Sequence, residues 1–200
     1  MYAPVYLSCC RPPRDSTDVA CTRRVSGLAY PALNAREPIM NLSRFIRRLT
    51  FLSDKKRLEL FPPFWLMRIK VLEIADDGRV IRIRLPLTQM SRNMGGFMFG
   101  GYQASLADPI AAIACGRVFP GYAVWTRALT LDFLHEGRSD LELRFTFSAE
   151  QEAVIREELA ERGRSTPQFE YGYYLADGTL CTRIHNSVAI RPQGYKRKQR

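Results

Sequence analysis

Between Ser91 and Phe119 the chain reads SRNMGGFMFGGYQASLADPIAAIACGRVF, and few residue types there can do chemistry. Paired glycines come first, Gly95-Gly96 and then Gly100-Gly101, followed by small and apolar residues that read as a buried helix. Between Met98 and Phe119 the single acid is Asp108 and the single base is Arg117. A helix that is apolar on all sides belongs inside a sheet or between subunits. A lone carboxylate there must find partners or shift its pKa, and a carboxylate raised toward neutrality is suited to proton transfer. The glycines ahead of it allow close backbone approach at a helix N-terminus, where unpaired N–H groups and partial positive charge suit an oxyanion.

Each of these residues also has a plainer reading. Asp followed by Pro is a good N-cap and N1 pair, so the helix could begin at Asp108, with the aspartate only capping it. A longer helix would hold Pro109 in an interior turn, which costs about 3 kcal/mol and bends the helix. Gly100 and Gly101 also suit close helix–sheet packing, and Asn93 suits an ordinary turn.

The elements that must position this stretch follow from periodicity. Residues 41–60 place Leu42, Phe45, Ile46, Leu49 and Leu52 on one face with Arg44, Arg47 and Arg48 between them; Ser43 is a candidate N-cap, and Phe61-Pro62-Pro63 stops the helix. Such a basic amphipathic helix lies either on a membrane surface, as a weak contact, or against its own domain. Trp65, Met67, Ile69 and Val71 alternate, Asp76-Asp77-Gly78 makes a turn, and Ile81, Ile83, Leu85 and Leu87 alternate again, giving a hairpin with one wet face. After the central helix, Trp125, Leu129, Leu131 and Phe133 share a phase interrupted by Arg127, which sets Thr126 on the opposite face. Leu141, Leu143, Phe145 and Phe147 form the next strand. Ser148 and Gln151 have capping-box spacing and open a short helix ending near Gly163. Phe169, Tyr171, Tyr173 and Leu175 precede an Asp177-Gly178 turn, and Leu180–Ile190 is the last strand. The class is α+β, an antiparallel sheet wrapped around one central helix, because a flat sheet would leave that helix half wet.

This order resembles the hotdog fold, and the central stretch resembles the PaaI-type acyl-CoA thioesterases. The motif of that family runs Asn, a few residues, Gly, His-Gly-Gly, four residues, Leu-Ala-Asp; here Asn93, Gly96, Phe99-Gly100-Gly101 and Leu106-Ala107-Asp108 stand at that spacing. Phe-Gly-Gly and Asp-Pro, with VWTRALTLDF downstream, are similar to a bacterial branch of hotdog thioesterases. The resemblance covers about residues 61–192. It implies Asp108 as general base or nucleophile, Gly100 as an N–H donor to the thioester carbonyl, and Asn93 as the residue orienting water or substrate. It places Gly101, Thr126 and Phe99 at the substrate. It also implies a homodimer or homotetramer with the site between subunits, an acyl-CoA substrate, a place in lipid metabolism, and no cofactor or metal. Phe99 stands where the commonest motif has histidine, which points either to altered substrate choice or to a non-catalytic acyl-CoA or lipid-binding protein.

Composition sets the remaining bounds. The 200 residues suffice for one domain with a sizeable core. No apolar run is long enough to span a bilayer, and the N-terminus lacks the features of a signal peptide. The net charge of +10 invites a nucleic-acid reading, yet residues 61–192 carry fifteen basic and fifteen acidic side chains. The surplus lies outside that body, +2 in residues 1–39, +4 in residues 40–60 and +4 in the tail 193–200, so no nucleic-acid partner is expected. Residues 1–39, rich in prolines and without either period, read as a disordered extension or as sequence upstream of a natural start at Met40. The domains are therefore 1–39, the helix 40–60, the hotdog domain 61–192 and the tail. The five cysteines show no metal spacing, and a cytoplasmic, reducing location fits them. His135 and His185 read as structural.

Overall fold

The computed structural model describes residues 52–195, so most of the helix expected over 41–60 lies outside the described residues. Its described end is helix α1, Asp54–Glu59, where the Ser53 side chain accepts a hydrogen bond from the Lys56 N–H. The helix does stop before the prolines, but Pro62 and Pro63 then open a second short helix, α2, Pro62–Leu66. Proline's fixed φ and missing N–H suit that position. This corrects the expected strand through Trp65 and Met67, which lie in α2 and at its C-cap; the first strand, β1, is Lys70–Ala75.

Strand β1 turns through Asp76–Gly78 into β2, Val80–Leu85, with Asp77 at φ 52° and Gly78 at φ 91°. Then come α3 (Gly100–Val118), β3 (Tyr122–Phe133), β4 (Leu141–Thr146), α4 (Ala149–Arg162), β5 (Gln168–Tyr174) and β6 (Leu180–Pro192). The strands form one six-stranded sheet in the order β1-β2-β4-β5-β6-β3, every pairing antiparallel. Helix α3 packs against β3, β6 and β4, which is the hotdog arrangement. Helix α4 has the expected limits: the Ser148 side chain accepts from the Gln151 N–H, and Gly163 ends the helix in the left-handed region at φ 63°.

The core fills the space between sheet and α3. Ile81, Ile83 and Leu85 of β2, and Leu141, Leu143 and Phe145 of β4, face Leu106, Ile110 and Ala114 of α3 in one cluster of buried side chains. Burying one such isoleucine stabilises the fold by about 2 kcal/mol relative to leaving it exposed.

Two findings correct the sequence reading near the site. Helix α3 is not enclosed on every side: Ser105, Asp108 and Gly116 are exposed in the single chain, while Gln103, Leu106, Ala107, Ile110 and Ala111 are buried. The phase of β3 also changes at a β-bulge. Thr126 pairs with Val188 and Leu129 pairs with Asn186, with the register shift between Thr126 and Ala128. Val188 and Asn186 are two residues apart on β6, so Thr126 and Leu129 share the helix-facing side and Trp125 takes the other. An extra residue in one strand has that effect on side-chain phase.

Candidate active site between the glycine turn and Asp108

The loop before α3 is held by a dense set of hydrogen bonds. Buried Ser91 donates its hydroxyl to the Pro86 carbonyl (2.8 Å) and accepts from the Thr88 N–H (2.7 Å). Its own carbonyl accepts from the Phe99 N–H (2.7 Å), and the Met98 N–H donates to the Gly137 carbonyl (2.9 Å). Asn93 is used by the turn: its Oδ1 accepts from the N–H groups of Gly95 (2.9 Å) and Phe97 (3.1 Å). A side chain bonding the backbone two residues on is an Asx turn.

Helix α3 begins at Gly100, with Phe99 as its N-cap residue. Asp108 therefore stands in the middle of the helix, and the reading in which it caps the helix is overturned. Pro109 is an interior proline. The first-turn N–H groups of Gly100 and Gly101 have no hydrogen-bond partner among the described residues, as expected for a helix start. Both glycines are pressed by aromatic rings. A Cβ on Gly100 would meet Phe133 Cζ at 2.9 Å, and one on Gly101 would run into Phe99 Cε1. Phe99 is 50% exposed and its ring also meets Tyr102 edge-on at 6.3 Å.

A cavity of about 860 Å³ opens at this end of α3, lined by Asn93, Gly100, Gln103, Phe133, His135 and Leu175 among others. Asn93 and Gly100 are thus brought together, with Phe99 and Gly101 beside them. Asp108 and Thr126 do not line the cavity. Eight residues of helix separate Asp108 from Gly100, about 12 Å at 1.5 Å per residue. Thr126 does meet Asp108: its hydroxyl donates to the Asp108 main-chain carbonyl (2.5 Å). The predicted site residues accordingly form two groups at two places along one helix.

Several residues around Asp108 escaped the sequence reading. Tyr171 of β5 donates to the Ala107 carbonyl (2.6 Å), and Asn186 of β6 donates to the Asp108 carbonyl (3.2 Å) and to the Tyr171 hydroxyl oxygen (2.9 Å). Burial pushes the Tyr171 phenol well above its usual range, so its proton stays available to the Ala107 carbonyl. Gln103, buried in α3, accepts from Thr182 (2.6 Å). The signal existed: Asn186 interrupts the apolar phase Ile184, Val188, Ile190, and Gln103 sits in an otherwise apolar run. Of the histidines, His135 lines the cavity, and His185 lies between Asp132 (3.5 Å) and Glu170 (3.6 Å) on the outer face. No cluster of three His, Cys, Asp or Glu side chains with metal-binding geometry occurs among the described residues.

Residues 95–151 match the family described as the thioesterase superfamily. That segment holds the glycine turn, all of α3 with Asp108, and Thr126. No curated protein matches the chain. Among solved structures it is similar to a protein of unknown function from Pseudomonas aeruginosa, titled a probable thioesterase. That pair has a TM-score of 0.62 at 17% identity, covering 68% of this chain and 92% of the other. A thioesterase from Haemophilus influenzae gives 0.56 at 14% identity over 72% and 94% of the two chains. A mutant thioesterase from Pseudomonas aeruginosa gives 0.54 at 16% over 72% and 97%. The chain is a hotdog-fold protein whose central segment, from the glycine turn through α3 to the start of α4, matches the thioesterase superfamily.

Proposed function

We propose that this chain is an acyl-CoA-type thioester hydrolase, a homodimer or a homotetramer, with Asp108 as its reacting carboxylate. The observation that carries the reading is the division of the site. The Asp108 carboxylate lies on the open side of α3, and Gly100, with its free N–H, lines the cavity about 12 Å away along the same helix. No single thioester group can touch both within one chain, whereas a second copy of α3 running the other way brings the glycine turn of one chain to the Asp108 of the other. The open side suits such a neighbour. It is lined by Gly101, Ala104, Ser105, Asp108 and Ala112, small residues that let another backbone come close. Strand β3 beside it is a 12-residue edge strand whose outer row of backbone groups has no partner strand among the described residues, and such an edge is a template for pairing with another chain.

In this reading the thioester carbonyl oxygen takes hydrogen bonds from the Gly100 N–H at the positive end of α3. Asp108 removes a proton from water as its oxygen attacks the carbonyl carbon, or attacks that carbon itself to give an anhydride that water then opens. The C–S bond breaks, the CoA sulfur leaves as a thiolate and takes up a proton, and the acid is released. Asn93 acts through the loop, since its Oδ1 is occupied by Gly95 and Phe97. Phe99 and Gly101 border the acyl and thioester positions, and Thr126 bonds the main chain at Asp108.

A second reading rests on Phe99. Its exposed ring covers Gly101 where the commonest motif has an imidazole, which favours a protein that binds acyl-CoA or lipid without turnover. Thiol release measured across an acyl-CoA panel separates the two. The hydrolase reading expects turnover with at least one thioester and its loss in Asp108→Asn. Tight binding without turnover for every chain length would leave the binding reading.

A further inference from the structure

The interior proline of α3 stands directly after Asp108. Its nitrogen cannot donate to the Ser105 carbonyl, so the helix is locally short of one hydrogen bond where the carboxylate is mounted. At that turn, side chains from three strands reach the helix backbone. Tyr171 grips the Ala107 carbonyl, and Thr126 and Asn186 both grip the Asp108 carbonyl. Asn186 joins two of them by donating also to the Tyr171 oxygen.

The protons in this network have one consistent arrangement. Tyr171 gives its hydrogen to the Ala107 carbonyl, so its oxygen is free to accept. Asn186 must then present its Nδ2 group to both the Tyr171 oxygen and the Asp108 carbonyl, since turning the amide round would set Oδ1 against two acceptors. The consequence is visible: Asn186 is fully buried and its Oδ1 has no partner among the described residues. An unpaired buried acceptor costs stability. A hydrocarbon side chain would avoid that cost, so holding the helix backbone is the gain that sets against it.

We infer that Tyr171, Asn186 and Thr126 are positioning residues that fix the main chain at Ala107-Asp108 and thereby aim the Asp108 carboxylate. None of them touches the reacting atoms. They act by keeping the proline-weakened turn from relaxing, because a displacement of a fraction of an ångström at Cα is carried directly to the carboxylate. The inference rests on the reading of Asp108 as the reacting group.

The test uses the full chain and the variants Asn186→Leu, Tyr171→Phe, Thr126→Val and Thr126→Ser, with Asp108→Asn as the reference for lost chemistry. Thioester hydrolysis is read as kcat and KM separately, and the Asp108 carboxyl carbon is followed by NMR through a pH titration. We expect kcat to fall by about ten- to a hundredfold in the first three variants, with KM within about twofold of the parent. Thr126→Ser, which keeps the hydroxyl, restores the rate. The Asp108 carboxyl resonance moves in the same variants. Unchanged kcat in Asn186→Leu and Tyr171→Phe, alongside an inactive Asp108→Asn, would overturn the inference. So would a fall in rate that only follows lost folded protein by circular dichroism. If the parent hydrolyses no thioester, the hydrolase reading fails by itself and the resonance decides: a shift in the variants supports positioning, and an unmoved signal refutes it.

Discussion

The ring of Phe133, the last residue of β3, lies against the Cα of Gly100, the first residue of α3. A Cβ added at Gly100 would sit 2.9 Å from the ring's Cζ, yet Phe133 is 57% exposed and that atom is the far end of a side chain free to swing. Alanine is also the better helix former, by up to about 1 kcal/mol. Gly100→Ala is therefore expected to hold or raise the melting temperature. In the proposed reaction it crowds the N–H that faces the carbonyl oxygen, and turnover should fall by about tenfold or more. Paired thermal melts and thiol-release rates check it; a parallel loss of both would mean that the glycine serves packing alone.

Gly172 gives the opposite result for a definable reason. A Cβ there would lie 2.9 Å from the main-chain oxygen of Thr182 and 2.5 Å from Leu180 Cδ1. Gly172 sits in the middle of β5, paired with Arg144 of β4 and Arg183 of β6, so neither strand can retreat without losing ladder bonds. Gly172→Ala should destabilise by about 1–3 kcal/mol, read from urea unfolding midpoints. An unchanged midpoint would show that the β5–β6 pair opens more easily than its hydrogen bonding implies.

The contrast between these two glycines also marks what the sequence could and could not disclose. Element order was legible because β2, β4 and β5 alternate without interruption and α4 carries both its Ser148 cap and its Gly163 stop. The residues alone left the helix start open between Gly100 and Asp108, and the resemblance to the thioesterase motif implied the start at Gly100 that the structure has. Three things were hidden. Trp65 and Met67 alternate as a strand would, but Pro62-Pro63 ahead of them start a helix, and local backbone preference overrode a short pattern. The bulge after Thr126 reverses the side-chain phase of β3, and periodicity cannot register an unpaired residue before the partner strand is known. Asp108 is exposed in one chain because burial of a helix face depends on tertiary neighbours, which an apolar composition does not specify.

The buried ionisable side chains predict a loss of stability in alkali. Burial pushes the Cys115 thiol up to about 12 and raises the Tyr171 and Tyr173 phenols above their ordinary range. In the unfolded chain these groups ionise at about 8.5 for the thiol and about 10 for the phenols. Below the unfolded values they are neutral in both states and the native state keeps its full stability. As the pH rises through and beyond those values, ionisation favours the unfolded chain, and stability falls until the folded-state values are passed. Urea midpoints should hold up to about pH 8 and then decline. Tyr171→Phe should soften the decline; an identical alkaline limb in that variant would exclude Tyr171 as a contributor.

The dimer can be tested by oligomeric state, read separately from the rate. Ala112 stands one turn beyond Asp108 on the open side of α3 and is half-buried in the single chain. An arginine there has room in a monomer, because its long stem can lie along the helix surface with its charge in water. Against a second α3 its long side chain would fill the space left for the neighbouring backbone and bury its charge, at a cost of several kcal/mol, enough to separate the copies at micromolar concentration. Ala112→Arg should therefore sediment as a monomer with native circular dichroism. Turnover should vanish, because Asp108 and Gly100 of one chain cannot reach the same carbonyl; the arginine also stands one turn from the Asp108 carboxylate, so sedimentation and not the rate identifies the interface. A folded monomer that still releases thiol at the parent rate would remove the shared site from the proposal. A variant that stays dimeric would place the interface away from α3.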